Sequence, residues 1–309
     1  MFSIVFPGQG SQKIGMVKEF YDKYDLAKQI FKDADAILDI PITKIIFEGP
    51  ENKLNLTENT QPAIFLASYC IFEIIKKEFG YDFKKFKYFA GHSLGEYSAL
   101  ACAGSISFED TLKILQKRGK FMQEAVPSGD GAMLAVLGVS SKELDKILHE
   151  NNKKYECFIA NDNSNFQVVI SGLKKDINLL SEDLNSKKIK NLKLNVSAPF
   201  HCKYMKTASE KMSSHINELK MNELDKPIIS NVTANETSSL KEIKSLLISQ
   251  IEKKVRWLES VEYMINNGVK NFVEIGPGKV LSGLIKRINK NVIVSSINNE
   301  DDIKLLVND

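Results

Sequence analysis

The chain has 309 residues, of which 43% are hydrophobic and 26% charged, with a net charge of +3. This is enough apolar material for a folded core, so disorder is not expected, and the length suits one large domain with an insert as well as two domains in series. A charge this mild, with a pI near 8.4, gives no footprint for nucleic acid, although it is compatible with an acidic partner or a phosphorylated substrate. The four cysteines, Cys70, Cys102, Cys157 and Cys202, form no C-x-x-C pair and fit no zinc spacing, so buried free thiols are expected. Residues 1–6 lack the basic start and long apolar run of a signal peptide, and the most apolar stretch, residues 62–72, is well short of the ~20 residues that span a bilayer. A soluble cytoplasmic protein without a membrane partner is expected, and the N-x-S/T matches at Asn55, Asn195, Asn231 and Asn235 then carry no meaning for glycosylation.

The first predicted element is a buried strand at residues 3–6, ending at Pro7-Gly8. Residues 16–39 are charged with helical periodicity. Thr60-Gln61-Pro62 then opens a largely apolar helix that stops at Gly80, with Pro62 in its first turn. Residues 88–90 read as a second buried strand feeding Gly91-His92-Ser93-Leu94-Gly95, and a helix of small residues follows, stopped at Gly104. From about residue 126 the texture changes. Strands at 132–137, 155–160, 166–171 and 189–196 alternate with helices at 140–152 and 173–187, and Ser140 and Glu143 make a capping box. This β-α-β-β-α-β order is ferredoxin-like. The tail returns to strand (271–275), a loop Gly276-Pro277-Gly278-Lys279, helix (280–288) and strand (291–297). The predicted fold is therefore α/β: an α/β-hydrolase-like large domain with a parallel sheet, built from residues 1–125 and 198–309, and an inserted ferredoxin-like subdomain at 126–197.

In G-x-S-x-G the serine sits on a tight strand-to-helix turn, where flanking glycines relieve close contacts and the helix N-terminus favours developing negative charge. Ser93 is thus a candidate nucleophile, and the plainer reading is a capping serine. It needs a base. His92 is its chain neighbour and should point elsewhere, whereas His149 and His215 lie in charged helical stretches. His201, in the loop after Ser197-Ala198-Pro199-Phe200, is left as either an ordinary loop histidine or the base. The backbone N–H of Leu94 is the expected oxyanion donor, and Pro7-Gly8-Gln9-Gly10-Ser11-Gln12 is a candidate source of a second. The loop at 276–279 lacks the spacing of a phosphate loop, so ATP binding is rejected.

PGQGSQ near the start, GHSLGEYSAL around Ser93, RGKFMQEAVP from Arg118, PFH at His201 and EIGPGKVLSGL near the end together resemble malonyl-CoA:acyl carrier protein transacylases, whose fold also serves in polyketide synthases. The resemblance runs over essentially the whole chain. It implies that Ser93 carries the acyl group, His201 is its base, and Gln9 and Leu94 supply the oxyanion-hole amides. It also implies that Arg118 binds the malonyl carboxylate, that the Gln250 carbonyl orients His201, and that Asn161 and His92 belong to the pocket. Without the resemblance, Arg118 reads as one more cation on a solvated helix face. The partners implied are malonyl-CoA and acyl carrier protein, with no cofactor, no metal and no nucleic acid, and a monomer is expected. Phe200 matches malonyl-selecting members. The segment Asn161-Asp162-Asn163-Ser164-Asn165-Phe166 and Lys253-Lys254 depart from the family, both read as loops.

The implied reaction is ping-pong transfer of malonyl to the carrier thiol, supplying fatty acid biosynthesis. A serine hydrolase would use the same dyad with water as acceptor, and a noncatalytic carrier-binding module is the second rival. Three basic groups, at Lys84, Lys85 and Lys87, at Lys187, Lys188 and Lys190, and at Lys286, Arg287 and Lys290, are candidate contacts for an acidic carrier, or else solvated faces.

Overall fold

The computed structural model describes every residue except Ser128, Ser197 and Asp309. The first part of the chain runs β1 (Phe2–Phe6), α1 (Lys18–Lys23), α2 (Asp25–Leu38), α3 (Ile42–Glu48), α4 (Glu51–Leu54), α5 (Thr57–Lys77), β2 (Phe86–Gly91), α6 (Gly95–Cys102) and α7 (Phe108–Gln123). The middle runs β3 (Gly131–Leu137), α8 (Ser141–Glu150), β4 (Cys157–Ser164), β5 (Gln167–Leu173), α9 (Lys174–Ser186) and β6 (Asn191–Lys193). After a 3-10 turn at Lys203–Met205 come α10 (Lys206–Glu218), β7 (Ile228–Ile229), β8 (Glu236–Thr237), α11 (Leu240–Gln250) and α12 (Trp257–Asn266). The chain closes with β9 (Asn271–Ile275), α13 (Val280–Ile288), β10 (Ile293–Ile297) and α14 (Glu300–Asn308).

Six strands form one sheet in the order β10-β9-β1-β2-β7-β8, with every neighbour parallel except the β7–β8 pair. Parallel strands are covered on both faces and so read as apolar runs, as β1 and β2 do. The other four strands form an antiparallel sheet in the order β4-β5-β3-β6. Its two faces have different partners. Leu134 and Val136 of β3 pack with Leu144 and Leu148 of α8 and Ile177 and Leu180 of α9. Met133 and Ala135, the alternate residues, join the main core with Phe6, Phe65 and Leu94. Period-two alternation thereby gives the small sheet its own helices on one side and the large sheet's elements on the other.

Several elements differ from the sequence reading. Helix α5 starts at Thr57 rather than near Pro62, which is its sixth residue. Asn59 Nδ2 and Thr60 Oγ1 donate to the Lys53 and Leu54 carbonyls, tying the extra turn to α4 and leaving the proline more than one turn inside the helix. The helical stretch at 16–39 is broken at Tyr24, which is extended (φ −110°, ψ 125°). Asn161 to Ser164, read as a polar turn, continues β4, and all four residues are buried. Strand β6 is only three residues long; Leu194 N–H still donates to the Met133 carbonyl of β3 (3.0 Å), and Leu194 and Val196 then line the site. The last strand begins at Ile293, two residues late. Ser197, read as the end of the small subdomain, lies outside the described residues. The capping box on α8 is present in full, and Gly104 is left-handed (φ 80°) after α6.

Candidate active site

Strands β1 and β2 lie side by side with Phe6 opposite Gly91, so the loop after β1 and the turn after β2 leave the sheet together. At Ser93 the backbone is left-handed (φ 54°), a conformation that costs a non-glycine residue roughly 1–2 kcal/mol. The turn is so tight that a Cβ on Gly91 would lie 1.9 Å from the Gly95 carbonyl, and one on Gly95 would lie 2.3 Å from the Phe6 oxygen. Glycine at both positions is a steric requirement. Asn231 clamps the turn from beneath: its Oδ1 accepts from the Ser93 N–H (2.7 Å) and its Nδ2 donates to the Gly91 carbonyl (2.7 Å).

His201 also has left-handed backbone (φ 58°), in a segment anchored where Ser171 Oγ donates to the Phe200 carbonyl. Its Nε2 lies 2.8 Å from Ser93 Oγ, and its Nδ1 lies 2.8 Å from the carbonyl of Gln250, the last residue of α11. A carbonyl only accepts, so Nδ1 carries the hydrogen and Nε2 presents a lone pair to the serine hydroxyl. Burial, reinforced by the nearby Arg118 charge, pushes the His201 pKa down to about 3, so the resting ring is neutral.

Arg118 lies on α7 and is 1% exposed, so it is not on a solvated helix face. One Nη donates to Gln61 Oε1 (2.7 Å), and the other to Gln250 Oε1 (2.9 Å) and Ser93 Oγ (3.2 Å). Burial lowers its pKa from the usual arginine value. Among the described residues no carboxylate lies within ion-pair distance of it. Glu96, on α6 and 1% exposed, acts on its charge, and Gln250 joins the two: Gln250 Nε2 donates to Glu96 Oε2 (2.8 Å) while its Oε1 accepts from Arg118.

Ser93, His201 and Arg118 meet in a cavity of about 80 Å³, which Gln9, His92, Leu94 and Asn161 also line, with Met122, Met133 and Phe200 as apolar wall. Among the described residues the backbone N–H groups of Gln9 and Leu94 have no acceptor. His92 points away from Ser93 toward β4, with Nε2 2.9 Å from Asn163 Oδ1. His149 is exposed, and His215 stacks on Phe121. All eight residues singled out from the sequence are thus brought together. Sequence reasoning missed Gln61, Glu96, Asn163 and Asn231, and saw only the main chain of Gln250. Glu96 carried a legible signal, being the one charged residue of a helix otherwise made of small and apolar side chains. Asn163 was hidden by the misread turn.

The family model for the acyl transferase domain matches residues 3–292. The malonyl CoA-acyl carrier protein transacylase of Bacillus subtilis is 42% identical over 311 residues, spanning 99% of this chain and 96% of its own. The transacylase of the same name from Staphylococcus aureus is 42% identical over 308 residues, covering 98% and 97%. Among solved structures, the acyl-carrier-protein-S-malonyltransferase of Bartonella henselae superposes with a TM-score of 0.96 at 38% identity, covering 99% of this chain and 98% of that one. A malonyl-transacylase in complex with a type II PKS acyl-carrier protein superposes with a TM-score of 0.95 at 36% identity, covering 99% of both chains. The chain belongs to the acyl transferase family, within its malonyl CoA-acyl carrier protein transacylases.

Proposed function

We propose that the enzyme transfers malonyl from malonyl-CoA to the phosphopantetheine thiol of acyl carrier protein, through a malonyl-Ser93 intermediate, to supply fatty acid biosynthesis. The observation that carries this reading is the convergence on Ser93 Oγ of a base, His201 Nε2 at 2.8 Å, and a buried guanidinium, Arg118 at 3.2 Å. Ser93 attacks the thioester carbonyl while His201 takes the hydroxyl proton. The Leu94 and Gln9 amides receive the oxyanion, and free N–H groups with no competing acceptor suit that role. Coenzyme A leaves with the proton held by His201. The carrier thiol then attacks malonyl-Ser93, and His201 removes its proton.

Arg118 selects the acyl group. A malonyl thioester differs from an acetyl one by a carboxylate, and a buried planar fork already at the serine oxygen is suited to hold it bidentately. That carboxylate also offsets the positive charge that now depresses the His201 pKa, so substrate makes the imidazole a stronger base when it is needed. Acyl carrier protein would dock by charge near the cavity mouth. Lys84 and Lys85 precede β2, at the opposite end of that strand from Ser93, and the groups at 187–190 and 286–290 are taken as the contacts, with Arg287 Nη1 donating to Gln167 Oε1 of the small sheet (2.9 Å). Charge reversal at those two groups should slow transfer to the carrier while leaving loading from malonyl-CoA intact; unchanged transfer would remove them. The reading as a whole is tested by intact mass after mixing with malonyl-, methylmalonyl- and acetyl-CoA. A malonyl mass increment that Ser93→Ala abolishes is expected, and no increment on the wild-type chain would refute it.

A further inference from the structure

Glu96 has no step in the reaction above, yet it is a carboxyl group 1% exposed beneath the nucleophile. Its two oxygens are used unequally. Oε2 accepts from the Asn231 N–H (2.9 Å) and from Gln250 Nε2 (2.8 Å), while Oε1 has no hydrogen-bond partner among the described residues. One side-chain amide separates Glu96 from Arg118, and among the described residues Arg118 has no direct carboxylate partner. Arg118 and Glu96 are therefore a buried guanidinium and a buried carboxyl group coupled through Gln250.

If a malonyl carboxylate settles on Arg118, as proposed above, the site holds two carboxylates and a single guanidinium. Two like charges sharing one buried counter-charge cannot both stay ionised without a large cost. The incoming carboxylate takes the fork, leaving Glu96 as the group one bond further removed, with a free oxygen on which to place a proton. We infer that Glu96 is the resident counter-charge of Arg118 in the empty enzyme and takes up a proton from solvent when malonyl binds there. Burial already holds its pKa up at about 7, so this response falls within the neutral range. The other charged or titratable groups around this network are Arg118 from α7, Tyr97 from α6, and His92 and His201 from the two loops. Tyr97 is neutral throughout, its pKa pushed up to about 12 by burial, and so His201 is the competing proton acceptor.

The inference rests on the malonyl reading and has its own readout. Exchange of a thioester for a serine ester moves the hydroxyl proton onto the released thiol, and at pH 7 a thiol with a pKa of about 8.5 keeps it. The chemistry itself therefore neither takes up nor releases protons. Loading with excess malonyl-CoA in weak buffer at pH 7, followed with an indicator dye and normalised to the malonyl mass increment, should show a net uptake of protons, less than one per malonyl group. Acetyl-CoA should give none. Glu96→Gln keeps an oxygen for Asn231 and Gln250 and should load malonyl without uptake, whereas Glu96→Asp should restore it. Malonylation with no uptake in the wild-type enzyme overturns the inference alone, and absence of the malonyl adduct overturns the proposed function. Uptake that persists in Glu96→Gln assigns the proton to His201 and also overturns the inference.

Discussion

A guanidinium buried to 1% exposure is costly unless something compensates it, and around Arg118, which has no ion-pair partner among the described residues, the compensation is spread over two glutamine oxygens, a serine hydroxyl and a carboxyl group one residue removed. That arrangement leaves the fork able to receive a carboxylate. Arg118→Ala should lower malonyl loading relative to acetyl loading by roughly a hundredfold, the equivalent of about 3 kcal/mol for charge-assisted bonds, in parallel kcat/KM measurements. Equal loss of both substrates would remove Arg118 as the selecting residue. His201 makes a prediction about stability. Its folded pKa, about 3, lies below the ordinary value near 6.5, so between those values the unfolded chain binds a proton that the folded chain refuses. Its contribution to stability is therefore present above pH 6.5 and lost as pH falls. From pH 7 to pH 5 the wild-type chain should lose about 2 kcal/mol more than His201→Gln in urea unfolding. Identical pH dependence in the two proteins would contradict a buried neutral imidazole. The same variant should abolish turnover with the fold intact.

The elbow is where a short pattern dictated the most. Gly91, Ser93 and Gly95 were legible as a strand-to-helix turn because only glycine suits such close backbone contacts, and the structure gives the contact for each: Gly95 against the Phe6 carbonyl, Gly91 against Gly95 itself. Gly95→Ala places a methyl 2.3 Å from a backbone oxygen that cannot rotate away, so it should cost about 3 kcal/mol or more in urea unfolding and displace Ser93 from His201. Near wild-type stability would show that β1 can shift. The capping box on α8 was equally legible, because side-chain caps are local in sequence. The elements misread were those fixed by distant partners. The start of α5 depends on the α4 carbonyls that Asn59 and Thr60 bond, and the polar run Asn161 to Ser164 is held in β4 by pairing with β5 and by the Asn161 bridge to Val255. Polar composition alone reads as a turn, and only the tertiary context makes it a buried strand beside the site.

At the scale of the molecule, one cavity collects residues from β4, α7 and the loops after β1, β2 and β6, with the last residue of α11 behind His201. The mostly parallel sheet sets Ser93 by register, and the small antiparallel sheet lends its inner face as the wall. The α/β class, with one parallel and one antiparallel sheet, could be read from the order of apolar runs and glycine turns. The meeting of Ser93, Arg118 and Gln250, separated by 25 and 132 residues in their bonds, could not, because no local rule brings a helix side chain onto a distant turn. The proposed reaction requires malonyl to reside on Ser93 between two thiols. The most direct test is to load the enzyme with malonyl-CoA, remove all coenzyme A, and add holo acyl carrier protein while following both intact masses. The enzyme should lose the malonyl increment as the carrier gains it, one for one. A malonyl-enzyme that gives its group to water, or malonyl-carrier that forms only while coenzyme A is present, would contradict it.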